Sequence, residues 1–472
     1  MPLDYPVETT TLSNGLRVVV SEDHASPVVA VNLWVGVGSR HEQAGRTGFA
    51  HLFEHLMFQG SRNVASGEHF SALMGAGARL NATTWFDRTN YFETLPTGAL
   101  DLALWMEADR HGHLLDALTQ DNLDNQRDVV KEEKRQRYDN QPYGEALHHL
   151  YASVFPARHP YHHPTIGSME DLDAATLQDV HAFFRRWYHP GNTVLTLCGD
   201  VSPEAGFAAA DRYFGALTRG EDAPPASTPS LPPLEAPTRV EVDQAVPAPR
   251  LYLGFRLPAD HTAEFDAASC ALEVLGGTAV SRLEKNLVRG TEIATFASSA
   301  ALGLADGTSL GFLAAQPADG TSLARLEEAI LAELSALAEN GPTEVEMEAA
   351  AAQNEREWLS TLASVEERAD EIGRLTTLYG DPEGINTQLD RLDAVTAEDV
   401  GRAASAWLRP DHRAVIAYPG DVGHPRTRQP DAGQPHAGRP VTDGGPPTAP
   451  SSSPSTRSPR RSSITTRPAS SS

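Results

Sequence analysis

The sequence predicts an α+β protein of two duplicated halves, each a mostly antiparallel sheet covered by helices. Two observations support this fold class. Short apolar segments bounded by turn residues occur together with long stretches of helical periodicity in the 472-residue chain. The segment at residues 172–180 is also echoed at residues 392–400, an offset of 220 positions. A matched run of this length predicts two related folding units.

Alternating or continuous apolar residues between turn signals predict the strands of the first half. These predicted strands span residues 9–12, 16–20, 28–37, 81–86 and 88–94. The turn dipeptide Asn14-Gly15 separates the first two, which is typical of a β-hairpin.

Apolar residues at helical spacing predict several helices along the chain. The main ones span residues 47–60, 67–76, 121–139, 323–339 and 345–379. In the first of these, Thr47 is a candidate N-cap and Gly60 a candidate C-cap. The helix that starts near residue 121 is expected to end before Pro142, because proline cannot continue a helix.

Composition divides the chain into four parts. Residues 1–219 form the predicted N-terminal half, and a segment rich in proline, alanine and serine at 220–237 predicts a linker. Residues 238–423 form the second half. Residues 424–472 have too few large apolar side chains to build a core, so we expect a disordered tail.

Charge and cysteine content narrow the function classes. The net charge is −25, and the segment from residue 425 onward contributes +5, so the rest carries −30. Phosphates would be repelled, which argues against nucleic acid as a partner. No apolar run has membrane-spanning length. Two cysteines and an N-terminus without a signal-like segment lead us to expect a cytoplasmic protein.

The pentapeptide His51-Leu52-Phe53-Glu54-His55 carries the strongest chemical signal. Positions i and i+4 of a helix share a face, so His51 and His55 can direct their imidazole nitrogens at one point. Neutral imidazoles suit zinc, and Glu54 beside them can take a proton from water. The order of residues is that of the inverzincin motif.

The repeat aligns this motif with residues 269–274 of the second half. The second copy keeps the glutamate, as Glu273, and has no histidine at either ligand position. We therefore expect only the first half to bind metal.

Zinc needs a third protein ligand, and spacing alone does not choose it. Several downstream carboxylates are candidates: Glu68, Asp87, Glu93, Glu107, Glu132 and Glu133.

Residues 48–61 resemble the zinc helix of the pitrilysin/insulinase-type metallopeptidases, especially the branch of mitochondrial processing peptidase and its bacterial relatives. The resemblance extends over residues 5–420. It includes residues 81–83 with Thr89 and Tyr91, the stretch 127–133 and the duplicated halves.

The resemblance implies roles for further residues. It makes Glu133 the third zinc ligand, and it implies that the two halves form a clam-like shell. Relatives often have a second glutamate two helical turns before the ligand, where this chain has Gln126, a second-shell position. The resemblance also implies that Asn81, Ala82 and Thr83 lie on a sheet edge, where an extended peptide would bind as an added strand.

The implied activity is zinc-dependent hydrolysis of peptide bonds, with Zn²⁺ as cofactor and Glu54 as catalytic residue. Many relatives carry an arginine and a tyrosine in the second half, and this chain has Val288 and Thr295 there. The expected partner is therefore a homologous subunit that supplies that pair, or else a second copy of this chain in a homodimer. The alternative is a non-catalytic subunit that binds peptides or has a structural role.

Overall fold

The computed structural model of the chain describes residues 3–221 and 228–420. The strands of its first half are β1 (Glu8–Thr11), β2 (Arg17–Glu22), β3 (Val28–Val35), β4 (Arg79–Thr84), β5 (Thr89–Pro96) and β6 (Thr193–Gly199). They form one sheet in the order β1-β2-β6-β3-β5-β4, in which only β2 and β6 pair in parallel. The predicted hairpin is confirmed as β1 and β2, where Thr9 pairs with Val19.

The second half contains a five-stranded sheet. Its strands are β7 (Thr238–Glu241), β8 (Arg250–Pro258), β9 (Ala294–Leu302), β10 (Thr308–Pro317) and β11 (Ala414–Tyr418). The order is β7-β11-β8-β10-β9, and only β7 and β11 are parallel. This sheet repeats the order and orientation of β2-β6-β3-β5-β4, so the α+β class with two similar halves is confirmed.

Helices cover both sheets. Those of the first half are α1 (Phe49–Leu56), α2 (Glu68–Gly75), α3 (Leu100–His113), α4 (Gln120–Lys134), α5 (Ala146–Val154), α6 (Met169–Ala174), α7 (Leu177–Trp187) and α8 (Pro203–Phe214). Those of the second half are α9 (Ala263–Leu272), α10 (Leu323–Asn340), α11 (Glu344–Leu362), α12 (Val365–Tyr379), α13 (Gly384–Asp393) and α14 (Ala397–Trp407). Single π-helical turns follow α4 and α9, at Arg135–Asp139 and Glu273–Gly277.

The sequence repeat has the same local geometry in both halves. Thr176 caps α7 and Thr396 caps α14, each by accepting a hydrogen bond from the amide of an aspartate three residues on. Each aspartate side chain bonds back to the threonine amide, which completes a capping box. Strands β6 and β11 follow these helices and lie at equivalent places in the two sheets.

The predicted continuous helix at residues 345–379 is wrong. Two helices, α11 and α12, occupy this stretch, because Ser364 has extended backbone geometry and its hydroxyl accepts from the Glu367 amide. Serine is a strong N-cap residue, and here it starts a new helix.

Each half contributes a helix to the other half's sheet. Helix α12 packs on β3 and β6 of the first sheet, while α5 packs on β8 and β11 of the second. Glycine allows both approaches: a Cβ on Gly373 would lie 2.5 Å from the Trp34 ring, and one on Gly254 would lie 2.8 Å from Leu150.

One carboxylate joins α12 to the first sheet. Asp370 Oδ1 accepts hydrogen bonds from Asn32 Nδ2 at 3.0 Å, Trp34 Nε1 at 3.0 Å and Asn90 Nδ2 at 2.7 Å. The three donors belong to β3 and β5, the strands beneath the helix. The halves are therefore connected by polar contacts as well as by an apolar interface.

Within residues 3–221 and 228–420, every helix falls short of the length or the apolar character that a membrane span requires. The predicted domain boundaries stay predictions. Residues 222–227 of the predicted linker and all of the predicted tail, 424–472, lie outside the described residues.

Candidate metal centre

The helix that carries the histidine motif, α1, starts at Gly48, which is the N-cap in the left-handed region with φ of 90°. The candidate caps Thr47 and Gly60 are therefore wrong. Thr47 instead donates from its amide and hydroxyl to Asp171 Oδ2, at 2.9 and 2.7 Å. The helix ends at Leu56, before it reaches Gly60.

A distant carboxylate caps α1 instead. Glu42 accepts hydrogen bonds from the amides of Gly48 at 2.9 Å and Ala50 at 2.8 Å. A negative charge at this end also complements the helix dipole. His163 in turn contacts the Glu42 carboxylate at 3.0 Å. The start of the motif helix is thus fixed from outside the helix.

The apolar face of α1 is fully buried, which sets the direction of its polar face. The buried apolar residues are Phe49, Leu52, Phe53, Leu56 and, just after the helix, Met57. Their spacing orients His51, Glu54 and His55 together toward α4, the helix that carries Glu133.

Both histidines meet Glu133. His55 Nε2 lies 3.2 Å from Glu133 Oε2, and His51 Nε2 lies 3.6 Å from Glu133 Oε1. Among the residues that the structure describes, this is the only group of three or more potential ligands with all ligand atoms within 4.8 Å of one another. Two imidazole nitrogens and a carboxylate oxygen are a donor set that fits zinc.

The other candidate carboxylates point elsewhere. Glu132 has half of its side chain exposed and pairs with Arg135 at 2.8 Å. Glu68 bonds the Ala65 amide. The remaining three, Asp87, Glu93 and Glu107, are buried in other surroundings.

The pKa shifts of His51 and Glu133 suit a metal site, whereas at His55 burial is outweighed by the neighbouring carboxylates, which raise the pKa. Burial lowers the pKa of His51 to about 3, which keeps this imidazole neutral. Burial acts to raise the pKa of Glu133, but the His55 hydrogen bond and the nearby charges of His51, His55 and Arg137 outweigh it and lower that pKa to about 2. A neutral imidazole and an ionised carboxylate are the forms that bind zinc.

Glu54 lies beside the trio. Its side chain is buried, and burial raises the pKa of its carboxyl, although the charge of His55 opposes the shift. It lies against Thr84, the last residue of β4. A buried carboxyl beside a metal site is placed to accept a proton from water.

Gln126 lies two helical turns before Glu133 on α4. It is buried, and its side chain hydrogen-bonds the His55 ring. This contact fixes the ring orientation without adding charge. The position matches the predicted second-shell role, which stays a prediction.

The stretch Asn81–Thr83 lies in β4, which is the edge strand of the first sheet and pairs only with β5. The amide of Ala82 donates to Asn81 Oδ1 at 2.7 Å. Because α1 packs on β4, this edge passes directly beside Glu54. The geometry is compatible with an added peptide strand.

Positions 288 and 295, where relatives were expected to carry an arginine and a tyrosine, have no side chain of similar chemistry. Val288 packs against the core of the second half, and Thr295 is exposed on β9. The neighbouring Arg289 donates to the Ala279 carbonyl and lies 3.7 Å from Glu284.

Sequence reasoning missed two residues of the site. Arg137 contacts Glu133 at 2.8 Å, and its i+4 spacing from the ligand was a usable signal. Glu42 lies six residues before Gly48 in an irregular segment, and no local pattern marks it as a helix cap.

Comparison with known proteins places the chain in a family. Residues 17–167 match the family described as insulinase (peptidase family M16), and residues 174–354 match its "Peptidase M16 inactive domain". A protein named zinc protease PqqE from Helicobacter pylori is 31% identical over 415 residues, which cover 87% of this chain and 92% of that protein. An uncharacterized zinc protease of Mycobacterium leprae is 30% identical, over 87% of this chain and 91% of that protein.

A solved structure agrees with these matches. The crystal structure of a protease from Helicobacter pylori superposes with a TM-score of 0.81 at 27% identity, covering 88% of this chain and 100% of that one. The chain described here belongs to the insulinase family of zinc proteases, peptidase family M16.

Proposed function

We propose that this chain is a zinc-dependent metalloendopeptidase that cleaves extended or unstructured peptides, as the metal-bearing subunit of a two-chain enzyme. One observation carries the proposal: His51, His55 and Glu133 converge within 4.8 Å, with the buried carboxyl of Glu54 beside them. A subunit with a purely structural role would not require all four of these side chains.

His51, His55 and Glu133 would hold the metal through Nε2, Nε2 and a carboxylate oxygen. When bound, zinc would supply Lewis acidity, which polarises a carbonyl and lowers the pKa of water toward neutrality. Glu54 accepts the proton of the attacking water and then delivers it to the leaving amine nitrogen. Its burial supports this role, because a raised pKa brings the carboxyl nearer to neutral pH.

The substrate would bind as an added strand on the edge of β4, at Asn81, Ala82 and Thr83. Backbone pairing gives affinity without requiring one sequence, which suits a protease for unstructured peptides. The Ala82 amide now donates a hydrogen bond to the Asn81 side chain. That side chain would turn away when a carbonyl of the peptide accepts this hydrogen bond instead.

A homologous partner subunit would supply the arginine and tyrosine, because a second copy of this chain in a homodimer would lack the same pair. The exposed Thr295 and the core-packed Val288 support the need for such a contribution. The same absence favours the second candidate function, a subunit that binds peptides without cleaving them. The match to an inactive domain starts at residue 174 and includes none of the four site residues.

The test is cleavage of a set of unstructured peptides by the zinc-loaded chain, alone and with a homologous partner subunit. Glu54→Gln should keep one zinc and lose about 10²–10⁴-fold in kcat, because only the proton acceptor is removed. His51→Ala should lose both zinc and turnover. Glu132→Gln, at the exposed neighbour of the ligand, is the matched control and should change neither.

Undiminished hydrolysis by Glu54→Gln would contradict the role of that glutamate. Bound zinc with no cleavage, even beside the partner, would favour the peptide-binding alternative. Full turnover by the chain alone would contradict the need for a partner.

A further inference from the structure

Arg137 contacts the carboxylate that completes the ligand trio. It lies four residues after Glu133, in the π-helical turn Arg135–Asp139 that continues α4. Its Nη1 is 2.8 Å from Glu133 Oε1. Residues four apart on a helical segment are neighbours, so the local fold creates this pair.

The two oxygens of Glu133 have different partners. Oε2 faces His55 Nε2 at 3.2 Å, whereas Oε1 is nearer to Arg137 than to His51 Nε2, at 2.8 against 3.6 Å. A guanidinium hydrogen bond to one carboxylate oxygen restricts rotation of the group and leaves the other oxygen directed at the histidines.

The turn that carries Arg137 is itself anchored. Lys134 pairs with Asp139 across it and lies 3.4 Å from Glu145. Gly144 packs against the turn so closely that a Cβ there would lie 2.2 Å from the Tyr138 carbonyl oxygen. The backbone on both sides of Arg137 is therefore held in place.

The charge balance favours this contact once metal is bound. The ionised Glu133 attracts the guanidinium and offsets part of the charge of a bound dication. The side chain of Gln126, which contacts His55, is neutral. Arg137 is then the charged side chain that orients a ligand from outside the trio.

We propose that Arg137 is a positioning residue that holds Glu133 with one oxygen directed at the metal, and thereby raises zinc affinity. This inference rests on the proposed function only in taking the trio as a zinc site. Loss of such an outer contact typically costs 10–100-fold in metal affinity.

The experiment measures zinc affinity of the full chain by competition with a chromophoric chelator, a readout that does not require activity. Arg137→Gln should weaken binding 10–100-fold, and Arg137→Lys should restore part of the loss, because an ammonium keeps the charge without the fork geometry. Arg135→Gln is the matched control: Arg135 is in the same turn and pairs with the non-ligand Glu132, so zinc affinity should not change.

Thermal unfolding of each metal-free variant separates affinity from folding, and Arg137→Gln should unfold at the wild-type temperature. Equal zinc affinity of Arg137→Gln and wild type would overturn the positioning role and leave the proposed protease intact. A wild-type chain that binds zinc but cleaves no peptide, even beside a homologous partner subunit, would instead count against the proposed function, while the affinity comparison would still decide the role of Arg137.

Discussion

Burial shifts the pKa of two glutamates that the sequence repeat aligns, Glu54 and Glu273. It raises the pKa of Glu54 beside the metal site. It raises the pKa of Glu273 to about 7, with a further contribution from Glu357. Gly277 makes room for the second carboxylate, since a Cβ there would lie 2.0 Å from Glu273 Oε2.

Glu273 should make stability depend on pH. Its folded-state pKa, about 7, is above the ordinary value of 4.5, so the folded chain holds the proton more tightly than the unfolded chain. The stabilisation is complete below about pH 4.5 and is lost as pH rises through 7, by up to about 3 kcal/mol at 1.4 kcal/mol per pKa unit. Glu273→Gln should therefore gain stability relative to wild type between pH 5 and pH 8, as measured by urea unfolding. If the difference in unfolding free energy between Glu273→Gln and wild type were the same at pH 5 and at pH 8, this prediction would be wrong.

The distance between partners along the chain explains which site residues could be predicted. His51, Glu54 and His55 are local, and helical spacing alone brings them together. Glu133 is 78 residues beyond His55, so only the family resemblance singled it out from six carboxylates. The cap from Glu42 depends on how an irregular loop returns to α1, and no periodicity encodes that path.

At the scale of elements, β4 combines an open edge with a position beside the motif helix. Strand signals predicted β4 and β5 because alternation and the turn at Asp87 are local features. The break between α11 and α12 was not predicted, since apolar periodicity continues across Ser364 and only the cap formed by its side chain marks the new helix.

If peptides bind on the edge of β4, backbone methylation of a substrate should act with a period of two. Alternate amides of an added strand face the edge, so N-methylation in that phase removes a hydrogen bond and adds a clash. We expect kcat/KM to fall at least about tenfold in one phase and to change little in the other, for a peptide methylated one amide at a time. Equal losses in both phases would argue against strand addition.

For the molecule as a whole, we expect the exchange of α5 and α12 to make the two halves unfold as one cooperative unit. The repeat and the fold class were predictable because the two copies share the same local patterns. The order of the strands was not predicted, because local patterns do not specify which strands pair. The exchange itself was not, because the apolar faces of α5 and α12 do not specify which sheet they cover.

Replacing the carboxylate that joins the halves should destabilise both together. Asp370→Ala leaves the side-chain donors of Asn32, Trp34 and Asn90 without their shared acceptor, which should cost about 2–5 kcal/mol. Urea unfolding followed by tryptophan fluorescence and by far-UV circular dichroism should show one transition at a lower midpoint. Glu355→Ala, an exposed change on α11, is the control. Separate transitions for the two probes would show that the halves unfold independently.

The helix exchange also explains why a chain with a single metal trio keeps two halves. Without α12, the face of the first sheet that contains Trp34 would be open to water, and without α5 the second sheet would lose its cover in turn. The half without the ligand trio thus supplies part of the cover of the half that has it. A shortened protein made from the first half would need α12 grafted back onto its sheet, so shortening the chain is a problem of surface replacement before it is one of chemistry.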